Sequence, residues 1–299
     1  MNQLWILSIL YSLIATGQYA NRAGKVQNKL GIIAGSGPLP LRLVKACQES
    51  SKPYFVVAIA GEAELKDFNN KECILIEIGK LSQTINALKK AKCSEVVMAG
   101  PVKRPSLNAL KLDLRAIKLL TKFATVKNHG DDALLRILVN ELETEGFKVV
   151  GADEILGQGV IAKPGIMGKH APNKFALDDI SLGLNVAKTL GLLDIGQSVV
   201  IQQKVVIGVE AVEGTDSLLH RCSKLMKEGE PGVLVKVKKP GQEHRTDLPT
   251  IGINTVRMSI KANLSGIAVL SENTLIIDYY AVINEANAYG LFIYGQTDN

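Results

Sequence analysis

The sequence predicts an α/β protein with two domains, an N-terminal Rossmann-like parallel sheet and a C-terminal mixed α/β domain. Three observations support this prediction. The 299 residues exceed the length of most single cores, since a domain typically has about 100–200 residues. In the first half, short apolar runs alternate with amphipathic stretches. A segment rich in glycine and proline then separates this half from a second one with its own strand and helix patterns.

The first half opens with a strand, a turn and a helix. Leu30–Ala34 is a short apolar run, Gly35–Gly37 follows as a turn, and apolar residues at helical spacing extend over Leu39–Glu49. The alternation continues along the chain, which implies a parallel sheet with helices on its faces. The further elements predicted here are strands at Tyr54–Ile59, Cys73–Ile78, Glu95–Ala99 and Phe147–Gly151, and helices at Leu81–Ala91 and Asp131–Gly146.

Glycine and proline interrupt the periodicity between Leu156 and Asn173, which is typical of a connecting segment. We therefore place the N-terminal α/β domain at residues 29–160, a linker at 161–174 and the C-terminal domain at 175–299. The second half fits either an α/β or an α+β organisation. Its predicted elements are helices at Ala176–Leu190, after Thr215, at Thr255–Ala262 and at Ala281–Tyr289, and strands at Ser198–Gln202, Val205–Glu210, Val233–Lys238, Gly266–Leu270, Thr274–Ile277 and Leu291–Tyr294.

Residues 1–28 precede the first predicted strand and form an N-terminal extension. They include an apolar stretch, Leu4–Ala20, whose length is at the lower end of what spans a bilayer. Met1-Asn2-Gln3 in front of it carries no lysine or arginine, so a secretory signal is not predicted. The extension is either a weak membrane anchor or an over-extended start.

Charge and aromatic content narrow the class of partner. The net charge of +6 favours anionic partners, such as acidic lipids or phosphorylated substrates. Aromatic residues make up only 5% of the chain, with Trp5 as the one tryptophan, so few side chains could stack on bases. We therefore expect no nucleic-acid partner.

The cysteines and histidines indicate neither a disulfide framework nor a zinc site. Cys47, Cys73, Cys93 and Cys222 have no C-x-x-C spacing and lie in or beside apolar patterns, which predicts reduced thiols packed in a core. The histidines form no H-E-x-x-H or D-x-H motif. A cytosol-like compartment is consistent with this usage.

The turn Gly35-Ser36-Gly37 could hold a phosphate, because it precedes a helix whose N-terminus favours anions. A dinucleotide-binding fingerprint would require a third glycine where Pro40 stands, although Glu62 could bind a ribose. A dinucleotide-dependent oxidoreductase therefore stays open as an alternative, as does a plain tight turn.

A basic turn follows the strand at residues 95–99. It holds two adjacent cations, Lys103 and Arg104, between two prolines. Ligands of open parallel sheets bind at the carboxyl ends of the strands, and an arginine with a lysine suits a pyrophosphate. The alternative is an ordinary solvent-exposed turn.

Acidic residues at two helix starts have two interpretations. Asp131 and Asp132 could bind magnesium, but capping of their own helix is the better explanation. Thr215 and Asp216 open a helix directly after a strand, and there the two interpretations are equally supported.

Residues 236–252 form the most unusual segment of the chain. Strand alternation would place Lys236 and Lys238 on one face, and Asp247 follows among prolines and glycines. Cations, a carboxylate and a threonine on stiff loops suit phosphoryl transfer, in which catalysis depends on positioning, charge neutralisation and a carboxylate that holds a metal or orients water. The alternative is that Asp247 caps a helix or turn.

Six motifs in the same order give the chain a family resemblance. It resembles the LpxI family of UDP-2,3-diacylglucosamine pyrophosphatases over roughly residues 29–296. The motifs are LGIIAGSGPLPL, GPVKRPSL, GDDALLR, GVEAVEGTD, LVKVKKPGQ and DLPTIG.

The resemblance implies an activity and its partners. Enzymes of this family are expected to clasp a lipid substrate between two domains and to hydrolyse the pyrophosphate of UDP-2,3-diacylglucosamine with Mg²⁺, yielding lipid X and UMP in lipid A biosynthesis. A basic surface suits an anionic leaflet, so we expect a cytoplasmic protein, peripheral to the inner membrane, that binds this lipid and can form a homodimer.

The resemblance also implies one site residue. The family's essential aspartate corresponds to Asp247, expected to be catalytic and to bind the metal. The other expected roles follow from the chemistry of residues in the same motifs: Asp216 as an assisting catalytic carboxylate, and as substrate-binding residues Ser36, Gly37, Lys103, Arg104, Thr215, Lys236, Lys239, Gln242 and Thr250.

Two other function classes stay open beside this one. One is the oxidoreductase, and the other is a non-catalytic module that binds a glycolipid. The sequence contains neither the D-x-H motif of metallophosphoesterases nor the glutamate-rich motif of Nudix hydrolases. It also lacks a G-x-x-x-x-G-K-[ST] phosphate-binding loop.

Overall fold

The N-terminal domain is built on a parallel sheet of five strands. The computed structural model describes residues 28–68, 72–103, 111–124, 131–246 and 248–298. The strand order is β3-β2-β1-β4-β5, and all neighbours are parallel, so the predicted fold class is confirmed. The strands are β1 (Leu30–Ala34), β2 (Tyr54–Ile59), β3 (Cys73–Ile76), β4 (Glu95–Ala99) and β5 (Lys148–Val149).

Helices cover both faces of this sheet. On one face, α1 (Leu39–Glu49) and α5 (Ala152–Leu156) pack around a core that includes Leu43. On the other, α2 (Leu81–Lys90) and α4 (Asp131–Thr144) bury side chains such as Leu142. Helix α3 (Leu114–Ala124) packs on α2 and α4. Neither α3 nor α5 was predicted from the sequence.

The C-terminal domain contains a mixed sheet of six strands in the order β6-β13-β11-β9-β7-β8. Strand β11 is parallel to β9 and β13, whereas β6, β7 and β8 run antiparallel to their neighbours. The segment predicted as a linker contributes β6 to this sheet, while the domain boundaries themselves stay a prediction. The strands are β6 (Gly165–Met167), β7 (Ser198–Gln202), β8 (Val205–Val209), β9 (Gly232–Lys236), β11 (Leu264–Leu270) and β13 (Phe292–Gln296).

Helices also sandwich the C-terminal sheet. Helix α6 (Lys174–Leu192) covers one face with side chains such as Ile180. The opposite face carries α7 (Gly214–Cys222), α8 (Ile253–Lys261) and α9 (Tyr279–Ala288). The two apolar layers give this domain a core on each side of the sheet.

A short parallel pair of strands, β10 (Thr250–Ile251) and β12 (Leu275–Ile276), joins the two domains. Leu275 packs in the core of the N-terminal domain, whereas Ile276 packs in the core of the C-terminal domain. This division follows from strand geometry, because successive side chains of a strand point to opposite faces. Adjacent residues of β12 therefore contribute to the cores of both domains.

Polar contacts also connect the domains. Arg42 of α1 forms a 2.6 Å ion pair with Asp278 at the start of α9. The backbone N–H of Glu243 donates to the Asp132 carboxylate at 2.8 Å, so Asp132 contacts the C-terminal domain rather than serving only its own helix. Arg245 extends the junction through a 2.6 Å ion pair with Glu143.

The thiols are free, as predicted for reduced core cysteines. Cys47, Cys93 and Cys222 are buried and Cys73 is partly buried, and none is in a disulfide. Burial raises the pKa of the Cys93 thiol to about 11. Within the part of the chain that the structure describes, no helix combines the length and apolar character needed to cross a bilayer.

Candidate active site

The candidate site begins where β1 and β4 end side by side. The chain leaves β1 toward one face of the sheet and β4 toward the other, and such a switch point is where ligands bind in open α/β sheets. The two loops are in contact, because the N–H of Gly35 donates to Ala99 at 2.8 Å and that of Ser36 to Pro101 at 2.9 Å. Gly100 has φ +86°, and a Cβ there would lie 2.3 Å from the Ser36 carbonyl oxygen. Glycine is therefore required for this approach.

A cleft of about 450 Å³ lies between these loops and the C-terminal domain. Its volume is within the usual range for a small-molecule site, about 300–1,000 Å³. The N-terminal domain contributes loop residues and three apolar residues of helices or strands, Leu39, Met98 and Ala152. The polar lining from the C-terminal domain is Gln197, Asp216, Lys236, His244, Arg245, Thr246, Thr250, Asn254 and Thr255.

Lys236, the last residue of β9, is the buried cation of the cleft, with 7% of its surface exposed. Its Nζ donates to Thr215 Oγ1 at 2.8 Å, and Thr215 Oγ1 donates to Glu210 Oε1 at 2.8 Å. Glu210 is 6% exposed. The threonine hydroxyl thus connects a buried ammonium to a buried carboxylate, which offsets the cost of burying either charge alone.

Asp216 lies in the first turn of α7 and lines the cleft. Its Oδ2 accepts a 2.6 Å hydrogen bond from Asn254 Nδ2, in the first turn of α8. The N-termini of α7 and α8 therefore meet at the cleft. Each has a partial positive charge that favours phosphate.

Comparison with known proteins gives the family of the chain. Residues 29–158 match the family model of the LpxI N-terminal domain, and residues 163–294 match that of the LpxI C-terminal domain. The chain belongs to the LpxI family. A relative from Caulobacter vibrioides, the UDP-2,3-diacylglucosamine pyrophosphatase LpxI, is 38% identical over 273 residues, which cover 89% of this chain and 97% of the relative. The family resemblance carried by the motifs is confirmed.

The structure brings several predicted site residues of this LpxI-family chain together. Ser36, Gly37, Asp216, Lys236 and Thr250 line the cleft. Thr215 contacts Lys236 directly. Asp247 lies outside the described residues, and its neighbours on either side, Thr246 and Leu248, both line the cleft.

Three other predicted binding residues are not among the described residues that line the cleft. Lys103 is exposed, and its backbone N–H donates to Glu62 Oε1 at 2.8 Å. Lys239 forms a 2.6 Å ion pair with Asp194. The buried Gln242 accepts from the backbone N–H of Lys239 at 3.0 Å. Their roles stay predictions, as does that of Arg104, which lies outside the described residues.

The cleft also contains residues that the sequence reasoning missed. Asn254 follows the DLPTIG motif, and Glu210 lies within GVEAVEGTD, so both were inside or beside motifs already quoted. Gln197 has no such signal, yet its buried Oε1 has no hydrogen-bond partner among the described residues. Arg245 lines the cleft with its guanidinium paired to Glu243 at 2.9 Å.

The donor set of the cleft fits magnesium better than zinc. The described residues contain no group of three His, Cys, Asp or Glu side chains that could hold a metal, and among the described lining residues Asp216 is the one carboxylate. Zinc sites require three or four protein ligands. Magnesium is commonly bound by one or two carboxylates together with substrate phosphates. Asp216 supplies one carboxylate in this cleft.

The turn after β1 offers few donors to a dinucleotide. The N–H groups of Gly35 and Ser36 are used within the protein, and Pro38 and Pro40 at the start of α1 have none. Glu62, the expected ribose ligand, accepts from Lys103. These contacts argue against the oxidoreductase alternative.

Proposed function

We propose that this chain hydrolyses the pyrophosphate bond of UDP-2,3-diacylglucosamine to lipid X and UMP, in lipid A biosynthesis. The observation that carries the proposal is the cleft in which Lys236 and Asp216 face the switch point of the N-terminal sheet. The name of the Caulobacter relative supplies the substrate and the reaction. Two phosphates in one substrate match a site with a buried cation and two helix N-termini.

The first task of the residues is to hold the diphosphate. A buried ammonium interacts more strongly with phosphate oxygens than an exposed one, because the local dielectric is lower. Lys236 is held by Thr215, so it can contact an incoming phosphate without first becoming ordered. Ser36, Gly37 and Thr250 would bind the groups on either side of the diphosphate.

The second task is to bring water to phosphorus. The water oxygen bonds to one phosphorus as the bond from that phosphorus to the bridging oxygen breaks, and the bridging oxygen leaves with the other phosphate. Asp247 is proposed to orient this water, with Asp216 assisting from the position that Asn254 fixes. Each product then carries one phosphate monoester.

Magnesium is proposed as the cofactor, with Asp247 as ligand and Asp216 near enough to the substrate to assist. When bound, it supplies positive charge to the phosphate oxygens. The carboxylate of Asp216 and the Oε1 of Gln197, which has no hydrogen-bond partner among the described residues, are oxygens that can bind magnesium or accept hydrogen bonds from its water ligands.

The apolar part of the cleft suits the acyl chains. Leu39 and Met98 from one domain face Leu248 and Ile277 from the other. A lipid substrate also places the enzyme at the surface of the inner membrane, on the cytoplasmic side, and the net charge of +6 favours an anionic leaflet. We also propose that the chain forms a homodimer.

The direct test is release of UMP from UDP-2,3-diacylglucosamine by the purified full-length chain, with and without a chelator. We expect UMP and lipid X in equal amounts, and loss of both when the chelator is present. Binding of the substrate without UMP release would favour the non-catalytic glycolipid module. Binding of a nicotinamide dinucleotide would favour the oxidoreductase.

A further inference from the structure

Helix α3 presents an apolar face to solvent. Leu114 is 86% exposed and Ile117 is 45% exposed, although both are large aliphatic side chains. They are three residues apart, so they lie on the same side of the helix. Exposed apolar side chains that share one helix face indicate an interaction surface.

Two lysines lie beside this apolar pair. Lys111 lies one turn before Leu114 and Lys118 lies beside Ile117, and both are exposed. Lys122, one turn further along, is directed to α4, where its Nζ lies 3.5 Å from Glu141 Oε2. The opposite side of the helix buries Ala116 and Leu119. Helix α3 therefore buries one apolar side against the domain. Its other side exposes an apolar pair with lysines beside it.

The structure holds this face outward. The Asp113 carboxylate accepts from the backbone N–H of Ala116 at 2.9 Å and from that of Ser82 at 2.6 Å, so one side chain caps α3 and ties it to α2. Arg115 forms ion pairs with Glu141 of α4 and with Glu145, which directly follows that helix. Neither contact involves Leu114 or Ile117, which stay directed away from the domain.

The lysines beside the apolar pair indicate the kind of partner that this face binds. The exposed side of α3 combines two large aliphatic side chains with two lysines, Lys118 and, just before the helix, Lys111. An anionic bilayer attracts lysines to its surface and takes up apolar side chains at the headgroup boundary. Helix α3 also follows β4 along the chain, and the loop directly after β4 places Gly100 and Pro101 in the lining of the cleft.

We propose that the exposed face formed by Leu114, Ile117 and Lys118 of α3, together with Lys111 just before the helix, docks the protein on an anionic lipid bilayer. The proposal rests on the proposed function in one respect only: a lipid substrate explains why the protein would be at a membrane. Docking itself is a binding event that can be measured without turnover.

The test is co-sedimentation of the full-length chain with vesicles of phosphatidylethanolamine and phosphatidylglycerol, and with vesicles of phosphatidylcholine alone. We expect binding to the anionic vesicles that weakens as salt rises, because salt screens surface charges. Leu114→Gln/Ile117→Gln should lower the partition coefficient at least about tenfold, since each large aliphatic side chain loses its transfer into an apolar phase. Lys111→Gln/Lys118→Gln should lower it about fivefold for each lysine removed.

The matched control is Leu192→Gln/Leu193→Gln. This pair is similarly exposed, at 69% and 66%, but is followed by Asp194, which pairs with Lys239. We expect this variant to bind as the wild type does. Thermal unfolding of all variants checks the fold, and UMP release from detergent-solubilised substrate should be unchanged in them.

Three results would overturn the proposal. The first is absence of wild-type binding to anionic vesicles, and the second is unchanged binding by folded α3 variants. The third is a change in molar mass of the α3 variants with unchanged vesicle binding, which would assign the face to a second copy of the chain. Loss of vesicle binding by the α3 variants with UMP release retained supports docking. If the wild type binds vesicles but releases no UMP, the result counts against the proposed function alone.

Discussion

The Nζ of Lys236 donates a 2.8 Å hydrogen bond to the hydroxyl of Thr215, which fixes a buried cation at the wall of the cleft. Lys236 ends a strand and Thr215 opens a helix, so the bond joins two rigid elements. The same hydroxyl donates onward to Glu210. The charge that lines the cleft is thus held in place by the protein itself, and such preorganisation is a major source of electrostatic catalysis.

The first prediction concerns the hydroxyl of Thr215. Thr215→Val keeps the shape but leaves the buried Lys236 ammonium without this acceptor, which costs about 1–3 kcal/mol. We expect kcat/KM for UMP release to fall at least about tenfold, while Thr215→Ser retains most of it. Thr189→Val, at an exposed threonine of α6, is the control. Equal activity of the valine and serine variants would contradict this role.

The second prediction concerns the charge of Asp216. Asp216→Asn removes the carboxylate and keeps its size, so kcat should fall at least about tenfold with a smaller change in KM if the charge acts mainly in the transition state. Asp178→Asn removes a carboxylate that pairs with Lys204 on the surface and should have wild-type kinetics. A variant Asp216→Asn with unchanged kcat would exclude Asp216 from catalysis.

The third prediction concerns the junction between the domains. Leu275 is 1% exposed and belongs to the core of the N-terminal domain, although β12 leads into the C-terminal domain. Leu275→Ala should lower the free energy of unfolding by about 2–5 kcal/mol. Leu177→Ala, at a 44% exposed position, should change it by less than about 0.5 kcal/mol. Denaturant unfolding measures both, and equal values for the two variants would contradict the burial of Leu275 in this core.

The fourth prediction concerns pH. Burial would raise the pKa of Asp113, but hydrogen bonds from the backbone N–H groups of Ala116 and Ser82 outweigh it and lower the pKa below its usual value. Stability from this carboxylate is therefore present above the unfolded pKa, about 3.9, and is lost as the pH falls through the lower folded pKa. Asp113→Asn should be less stable than the wild type at pH 7.

The difference between Asp113→Asn and the wild type should shrink as the pH falls from about 5 toward 2, because the wild-type carboxyl becomes neutral. Urea unfolding at several pH values measures this difference. Asp178→Asn is again the control, since its carboxylate lies on the surface. A constant difference between Asp113→Asn and the wild type at every pH would contradict the charge-based cap.

The strands beside the site could be predicted because each is a short apolar run ended by a glycine turn. Leu30–Ala34 and Glu95–Ala99 have the predicted bounds. Helix α3 could not be predicted in this way. Its apolar residues Leu114 and Ile117 are exposed, so the apolar pattern of its sequence does not coincide with a buried face. Strand β6 has only three residues and depends on a partner distant in sequence.

The sequence motifs predicted part of the candidate site. Motifs identified Lys236 and Asp216, which line the cleft. The same motifs contain Lys239, whose ion pair with Asp194 depends on how distant loops fold together. Local sequence gives residue types and spacing, but contacts between distant segments decide which cation faces the substrate.

The most direct test of the central claim compares UMP release from UDP-2,3-diacylglucosamine by the wild-type chain and by Asp247→Asn under identical conditions. The account predicts steady release by the wild type and a rate at least about 100-fold lower in the variant, since a group that acts in the transition state is removed. Thermal unfolding of the two should agree. Release by Asp247→Asn at more than about a tenth of the wild-type rate, or no release by the wild type, would contradict the account.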